Sequence, residues 1–234
     1  ILSLLTSFKH CLKYPSMATE QHDKLPSRER ILAVAEEVFL VNGFDGVSVR
    51  ELTEEAGVNI ALVNYHFGSK RNLYLEALRH KFSAVSEMKC AQLQQQLAAL
   101  EEPGLQQVVS AYVALYLGSE EDAQATQKFL KLTSRHLADD DDAMELMFAE
   151  LIAPIHLLVR DALGRICPKM GNEKLSLCVG SMTGQIFHYL RFPHAFQTLL
   201  GSLGEGALHD AMVQHIIDFS MKGIGEESVC LLKH

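Results

Sequence analysis

The stretch SVRELTEEAGVNIALVNYHFGSK, residues 48–70, decides the fold of this chain. It opens with Ser48 and places Glu51 three positions later, which is the spacing of a capping box. In a capping box the serine hydroxyl accepts a hydrogen bond from the glutamate amide, and the glutamate carboxylate accepts one from the serine amide. The sequence therefore predicts a short helix over residues 49–56 that begins after Ser48.

A second short helix follows after a glycine corner. Gly57 can adopt the positive φ of a tight turn, and the small Ala56 beside it allows two helices to cross closely. Asn59 is a favourable N-cap for a helix over residues 60–67. Two short helices joined by a turn of three or four residues form a helix-turn-helix unit, which is the structure predicted here.

The residues before this unit predict a supporting helix over residues 28–42. Ser27 follows Pro26 and is predicted to be the N-cap of this helix. Gly43 is predicted to end it with a positive φ, and Phe44 to fold back on its last turn. Apolar side chains recur at helical spacing and define one stripe: Ile31, Leu32, Ala35, Val38 and Phe39.

The residues after the unit predict helices to the end of the chain. Apolar side chains recur every three or four positions and strand signals are nearly absent, so we expect an all-α fold. A long helix starts after Ser69 and continues to about residue 100, where Pro103 and Gly104 interrupt it. Further helices are predicted over residues 105–117, 122–137, 143–166, 172–191 and 207–223.

Composition narrows the class of protein. The 234 residues carry a formal net charge of −8, so any contact with DNA must depend on local charge and not on a basic chain. The five cysteines lie far apart without CxxC spacing, which indicates reduced thiols of a cytoplasmic protein. No apolar run reaches the roughly 18 residues of a membrane span, so we expect a soluble protein without a membrane partner.

Residues 1–26 are predicted to be a leader outside the folded domains. Met17 opens a polar segment that is typical of disorder, and the preceding ILSLL is too short for the core of a signal peptide. We interpret Met17 as the natural start and residues 1–16 as sequence from outside the natural protein.

The second helix of the predicted unit offers side chains to DNA bases. A recognition helix enters the major groove with its N-terminal residues at the base edges. Asparagine can make bidentate hydrogen bonds to adenine, and alanine allows close approach. The helix is expected to turn four side chains outward: Asn59, Ala61, Asn64 and Tyr65.

Phosphate contacts are predicted around this surface. Ser48 and Arg50 stand at a helix start, where free backbone amides favour a phosphate. Tyr65 and His66 can reach phosphates, and for His66 a packed position inside the unit is an equal alternative. Lys70 lies in the first turn of a helix, where the dipole disfavours a cation, so an anion beside it would explain its place.

The segment GFDGVSVRELTEEAGVNIALVNYHFGSKRNLYLEAL, residues 43–78, resembles the DNA-binding domain of the TetR-type transcriptional repressors. A glycine–aromatic pair, AGV at the turn, and Tyr-x-Phe followed by a small residue and lysine carry this resemblance, which covers about residues 27–82. Arg71 departs from it, since the family usually has an acidic residue there, and Asn64 replaces a bulky side chain. The resemblance implies DNA contacts at Ser48, Val49, Asn59, Asn64, Tyr65, His66 and Lys70.

The remaining residues resemble the family's variable half in outline. Within the family they are most similar to a subgroup of repressors linked to fatty-acid metabolism or antibiotic sensitivity. The resemblance implies an effector-binding and dimerisation domain over residues 83–228, and a homodimer formed by residues 174–191 and 207–223. A two-fold dimer would place its recognition helices about one DNA turn apart, roughly 34 Å, and bind a pseudo-palindromic operator. The implied interface residues are Leu177, Ser181, Gly184, Leu208, Met212, His215, Ile216 and Phe219.

A pocket for a small-molecule effector is expected between the helices of residues 105–191. Methionine-rich walls suit an adaptable, apolar ligand, although ordinary core packing is the alternative for each residue. Polar groups that could meet a ligand carboxylate are Arg135, His156, Arg160 and His188. The candidate walls are Phe129, Leu132, Met144, Met147, Phe148, Ile152, His156, Met182, Phe187, His188 and Tyr189.

Other chemistries are not expected. The four acids at residues 139–142 cannot all face one ion from a helix, and we interpret them as a capping cluster before Ala143. No nucleophile elbow, phosphate loop, HExxH or paired carboxylates occur, so neither an enzyme nor a cofactor nor a metal is predicted. The leading hypothesis is a ligand-responsive repressor. The alternative is a DNA-bound scaffold whose helical half docks a protein partner and binds no small molecule.

Overall fold

The computed structural model describes residues 25–137, 139–201 and 204–230, and these ranges are helical without a β-strand. The predicted all-α fold is confirmed, while residues 1–24 of the predicted leader lie outside the described part. In chain order the helices are α1 (Ser27–Asn42), α2 (Val49–Glu55), α3 (Ala61–Phe67), α4 (Lys70–Ala98), α5 (Leu105–Leu117), α6 (Glu120–Leu137), α7 (Asp141–Met147), α8 (Ala153–Ile166), α9 (Asn172–Arg191), α10 (Pro193–Leu199) and α11 (Glu205–Cys230).

The described residues form two compact units. Unit 1 contains the residues up to Ser86 together with Phe129–Ile152, and unit 2 contains Glu87–Lys128 and the residues from Ala153 onward. The domain limits 27–82 and 83–228 remain a prediction. Residues 129–152, which the sequence analysis assigned to the second domain, belong to unit 1.

Apolar side chains of α1 hold unit 1 together. Ile31 and Ala35 from the predicted stripe are fully buried, and Phe39 is 1% exposed. The Phe39 ring meets the Tyr74 ring of α4 edge to face, with centroids 5.1 Å apart. Helix α1 also packs against both α2 and α3. It therefore supports the two helices of the helix-turn-helix, as its stripe predicted.

The start of α1 differs from the predicted one. Pro26 is the N-cap, and no side chain completes the cap. The Ser27 hydroxyl lies inside the first turn, 2.8 Å from Nε2 of His66 in α3. The prediction of Ser27 as the N-cap was wrong because its hydroxyl has a partner 39 residues away in the chain.

The turns around α2 and α3 follow the local signals. The Glu51 amide donates to Ser48 Oγ over 3.0 Å, and the Ser48 amide donates to Glu51 Oε2 over 3.4 Å, which completes the capping box. Gly57 has a φ of 63°, the left-handed conformation that glycine adopts without strain. Helix α3 begins one residue later than predicted, with Ile60 at the N-cap position, and Asn59 Oδ1 accepts a hydrogen bond from the Ala61 amide over 2.9 Å.

Replacing Ser48 by alanine is expected to lower the free energy of unfolding of unit 1 by about 1 kcal/mol, because the Glu51 amide loses its acceptor. Urea denaturation followed by circular dichroism measures the change. Ser48→Thr is the matched control, since it keeps the oxygen acceptor and should retain most of the stability. Equal stability of the alanine and threonine variants would contradict the role of the cap.

The later helices keep the predicted bounds at α5 and α9 and differ elsewhere. The helix predicted over residues 143–166 is divided into α7, a π-helical turn at Phe148–Ile152, and α8. Pro154 marks the restart, because proline has no amide hydrogen for a continuing ladder but fits the first turn of a helix. Helix α10 was not predicted, and it begins at Pro193, a residue that fits the first turn of a helix.

Unit 2 contains packed contacts among α5, α8, α9 and α11. Tyr112 of α5 bonds its hydroxyl to Thr183 of α9 over 2.7 Å. Lys89 is buried, donates to the Leu115 carbonyl over 2.8 Å and lies 4.4 Å from the Tyr116 ring centroid. Among the helices described, none combines the length and the apolar character that spanning a membrane requires.

Candidate nucleic-acid interface

Helix α3 separates a packed face from an exposed one. Val63 and Phe67 are buried in the core of unit 1. The opposite side of the helix is open to solvent, with Tyr65 81% exposed. The side chains exposed on and just before the helix are Asn59, Ile60, Ala61, Asn64 and Tyr65. Four of these five were predicted from the sequence, and we call the five together the α3 face.

His66 occupies the border of this face. Its ring is partly buried, bonded to Ser27 and in edge contact with the rings of Tyr65 and Phe67, at centroid distances of 4.9 and 6.2 Å. The structure thus places His66 as a packed side chain that ties α3 to α1. That arrangement is the alternative to a phosphate contact that the sequence had left open.

The start of α2 presents polar groups beside the α3 face. Ser48 and Arg50 are exposed, and Val49 is half-buried against the core. Arg50 Nε lies 2.9 Å from Glu54 Oε1 one turn further along the helix. Such an exposed pair contributes little to stability, so the guanidinium can exchange this carboxylate for a phosphate at small cost.

Lys70 has a partner that the sequence did not reveal. Its Nζ lies 4.3 Å from the centroid of the Phe44 ring, and the Arg71 guanidinium carbon lies 5.6 Å from the same ring. A cation above an aromatic face is stabilised by the ring quadrupole. Phe44 therefore gives a second explanation for a cation at this helix start, beside the anion that the sequence suggested.

An ion-pair cluster joins the start of α4 to the turn before α7. Arg71 makes two hydrogen bonds to the Asp140 carboxylate, of 2.5 and 2.7 Å, and one of 2.8 Å to Asp142. These bonds from Arg71 hold the pKa of Asp140 below its usual range. Burial and the neighbouring Asp140 carboxylate raise the pKa of Tyr74 to about 12. Asp140 also caps α7 through the Ala143 amide, which is the capping role predicted for the acids.

A cavity of about 650 Å³ adjoins this cluster in unit 1, lined by residues 42–46, Arg71 and residues 139–142. No group of histidine, cysteine and acidic side chains suited to a metal ion occurs in the described part of the chain. The sequence offered one signal for the cluster, which was the departure of Arg71 from the acidic residue usual in the resembled family.

The predicted effector-pocket residues are distributed over both units. Phe129, Met147 and Phe148 belong to unit 1, where Phe129 is buried against Phe82 and Phe148 is exposed. Four further candidates belong to unit 2: His156 is half-buried, Met182 is buried, Phe187 packs on Tyr116, and His188 is exposed against Phe192 and Phe196. The side chain of Arg135 lies outside the described part.

A cavity of about 500 Å³ lies in unit 2 between the end of α5, the start of α6 and the first half of α11. None of the eleven candidate wall residues lines it or the cavity of unit 1. Its walls are Ser110, Ala114, Leu117, Gly118, Ser119, Glu120, Gly206, His209, Asp210, Val213 and Ile217. These residues were missed because helical periodicity does not reveal that α11 packs against α5.

The predicted dimer residues lie partly on the surface and partly inside unit 2. Leu177, Ser181 and Gly184 share an exposed side of α9, and His215 and Phe219 are exposed on α11. Three others on α11, namely Leu208, Met212 and Ile216, are buried within the chain itself. Their apolar stripe was assigned to a partner, whereas it packs against α5 and α9 of the same chain. This corrects the prediction for those three residues.

The fold and the exposed α3 face define a class of protein, a helix-turn-helix transcriptional regulator with a helical second half. The family model described as "Bacterial regulatory proteins, tetR family" matches residues 31–77. The model "Tetracyclin repressor-like, C-terminal domain" matches residues 110–223. The chain belongs to the TetR family of DNA-binding transcriptional regulators.

Two relatives match part of the chain. The HTH-type transcriptional repressor AcnR of Corynebacterium glutamicum is 36% identical over 62 residues, which are 26% of this chain and 33% of that protein. The HTH-type transcriptional activator FasR of Mycolicibacterium smegmatis is 35% identical over 83 residues, 34% of this chain and 38% of that protein. The chain therefore spans 33% of the length of AcnR and 38% of the length of FasR.

A solved structure shares the fold over most of the chain. The transcriptional regulator FadR from Bacillus subtilis, in complex with stearoyl-CoA, is 16% identical and has a TM-score of 0.50. The likeness covers 83% of this chain and 98% of that one. At this identity it demonstrates the common fold alone.

Proposed function

We propose that the chain is a homodimeric repressor that binds a pseudo-palindromic operator and releases it when a small molecule binds. The observation that carries this proposal is the α3 face, which presents Asn64 and Tyr65 to solvent on a helix whose other side is anchored in the core. A rigid helix with an exposed polar face is the element that enters the major groove in helix-turn-helix proteins.

Base and phosphate contacts divide among the predicted residues. Asn64 is placed to bond adenine, Ala61 allows close approach, and Tyr65 reaches a phosphate with its phenol. Ser48, Arg50 and the backbone at the start of α2 hold a second phosphate. Lys70 adds a positive charge while it stays on the Phe44 ring. Asn59, Val49 and His66 serve mainly to position these groups through the cap of α3 and the packing of unit 1.

A second copy of the chain is the proposed partner for the exposed sides of α9 and α11. Leu177 and Phe219 are large apolar side chains with 67% and 58% exposure. Ser181 and Gly184 beside Leu177 are small, which allows two helices to approach closely. The proposed interface is therefore narrower than the predicted one, because Leu208, Met212 and Ile216 are already buried.

The proposed effector site is the cavity of unit 2. A volume of about 500 Å³ falls in the range of small-molecule pockets, and its walls combine apolar side chains with a few polar groups. His209 among them donates a hydrogen bond from Nε2 to the Leu117 carbonyl, 3.0 Å away, which orients its ring at the cavity wall. The ligand of FadR supports a small-molecule effector, and AcnR supports repression, whereas FasR is an activator.

Tyr65→Ala combined with Lys70→Ala is expected to weaken operator binding about 10- to 100-fold, because two contacts to charged phosphates are lost. The operator is first recovered from genomic fragments bound by the purified full chain. Fluorescence anisotropy then measures the Kd of each variant at one fixed salt concentration, since such affinities depend strongly on salt.

Leu199→Ala is the control for this experiment, because Leu199 is 78% exposed in unit 2 and outside the α3 face. Circular dichroism checks that all variants keep their helices. An unchanged Kd in the double variant would refute the proposed interface. Adding candidate small molecules to the same assay tests for an effector, which should raise the Kd for the operator. A reporter gene downstream of the operator distinguishes repression from activation.

A further inference from the structure

The α3 face is uncharged, and one end of it is apolar. None of its five side chains, from Asn59 to Tyr65, carries a charge. Two of the five, Ile60 and Ala61, are apolar, and they stand at the N-terminal end of the helix. Ile60 is 52% exposed although burial of isoleucine is favourable by about 1.5–3 kcal/mol. The end of the helix that reaches the bases is therefore apolar.

Asn59 can offer DNA only its side-chain NH2 group at this end, because its side-chain oxygen already has a partner. Its Oδ1 accepts a hydrogen bond from the Ala61 amide, so this oxygen is engaged in capping the helix. The nearest other polar side chain on the face is Asn64, one turn after Ile60. The order along the face is thus apolar at residues 60 and 61, then a carboxamide at Asn64, then the Tyr65 phenol.

This order matches the chemistry of A·T base pairs. In the major groove thymine presents the only methyl group among the four bases, and apolar side chains contact it. Adenine presents N6 and N7, which asparagine bonds in a bidentate manner. Guanine is most often bound by arginine or lysine, and the α3 face contains neither.

We propose that the recognition helix binds A·T pairs, with Ile60 and Ala61 against thymine methyl groups and Asn64 against an adjacent adenine. The proposal rests on the proposed DNA-binding function and specifies which bases that surface recognises. Ile60 was not among the residues predicted to contact DNA, and it acts here as a specificity residue. Single exposed apolar residues are common on protein surfaces, but Ile60 adjoins Ala61 on the face that meets the bases.

The test removes single methyl groups from the DNA. The probe is the tightest duplex recovered from a random library by the full-length protein, with one thymine at a time replaced by deoxyuridine, which lacks only the methyl group. At one or two positions in each half-site, we expect the affinity of the wild-type chain to fall about threefold to fivefold, the effect of one buried methyl group. The remaining thymines should change the affinity less than twofold.

Ile60→Ala provides the matching change on the protein. At one of the sensitive positions the loss caused by deoxyuridine should shrink below twofold in this variant, since the methyl group no longer has its partner. At positions that do not contact Ile60, deoxyuridine should lower the affinity of the wild-type chain and of the variant by the same factor. A double-mutant cycle that combines the base change with Ile60→Ala measures this difference. Ile60 is half exposed, so the variant is expected to fold, and thermal unfolding checks this.

The possible outcomes distinguish a failure of the A·T inference from a failure of the proposed DNA-binding function. Three results together support the inference. The selected half-sites contain A·T pairs, the affinity depends on the methyl group of at least one thymine, and the Ile60→Ala variant loses that dependence. The inference is overturned if binding is tight and sequence-specific but no deoxyuridine substitution lowers the affinity. It is also overturned if the Ile60→Ala variant remains as sensitive to deoxyuridine as the wild-type chain. In both cases the proposed DNA-binding function is retained. Failure to recover any specific duplex overturns the proposed function itself.

Discussion

Replacing Phe39 by alanine is expected to lower the free energy of unfolding of unit 1 by about 3–5 kcal/mol. Phe39 is 1% exposed and packs edge to face on Tyr74, so the substitution removes a ring from between α1 and α4 and leaves a cavity. A loss of this size is a large part of the 5–15 kcal/mol that stabilises most domains. Urea denaturation followed by circular dichroism measures it.

Val41→Ala on the same helix is the control, because Val41 is 54% exposed and should change the stability by less than about 0.5 kcal/mol. Operator binding should fail in Phe39→Ala at temperatures where the wild-type chain still binds, since α1 supports α2 and α3. Equal denaturation midpoints for the two variants would show that α1 is not anchored as described.

The second large effect is expected at the Arg71–Asp140 pair. Combining Arg71→Met with Asp140→Asn should reveal a coupling free energy of about 1–2 kcal/mol in a double-mutant cycle. The pair is bidentate, and the carboxylate side chain is only 17% exposed. Asparagine is used because it keeps the cap of α7 through its side-chain oxygen while it removes the charge.

The pair Arg50–Glu54 is the control for this cycle. Both of its side chains are well exposed, and we expect a coupling of about 0–0.5 kcal/mol. Similar coupling in the two pairs would mean that the Arg71 cluster contributes no more than an ordinary surface ion pair.

Acid provides a further check on the Arg71 cluster. The pKa of Asp140 is lowered in the folded chain, so its contribution to stability is present above the unfolded pKa of about 3.9 and is lost as the pH falls through the folded pKa. The stability difference between the wild-type chain and Asp140→Asn should therefore be largest near neutral pH and shrink below about pH 4. A difference that stays constant down to pH 2 would contradict the charge-based explanation.

Local signals in the sequence were sufficient for the helix-turn-helix. The capping box of Ser48 and Glu51, the positive φ of Gly57 and the Asn59 cap each depend on residues within three positions of one another. The bounds of α5 and α9 followed from periodicity and from the glycines before them. Because these interactions close within one helical turn, the neighbouring residues alone specify them.

The α3 face also followed from the sequence, with one omission. Burial of Val63 and Phe67 determines which side of the helix is exposed, and period 3.6 then assigns Asn64 and Tyr65 to the outside. Ile60 was omitted because its type suggests a buried residue. Only its exposure in the folded chain turns it into a candidate for base contact.

Tertiary structure alone decided the partners of residues far apart in the chain. Ser27 bonds His66, Lys70 lies on the Phe44 ring, and Arg71 pairs with Asp140, 69 residues away. The same holds for α11, whose apolar stripe was assigned to a partner copy, whereas Leu208, Met212 and Ile216 are buried within the chain itself. Periodicity shows that a helix has an apolar side, but it does not show which side chains cover that side. The covering side chains depend on how helices distant in the sequence pack together. The same packing determines which groups remain at the surface to bind DNA, a ligand or a second copy.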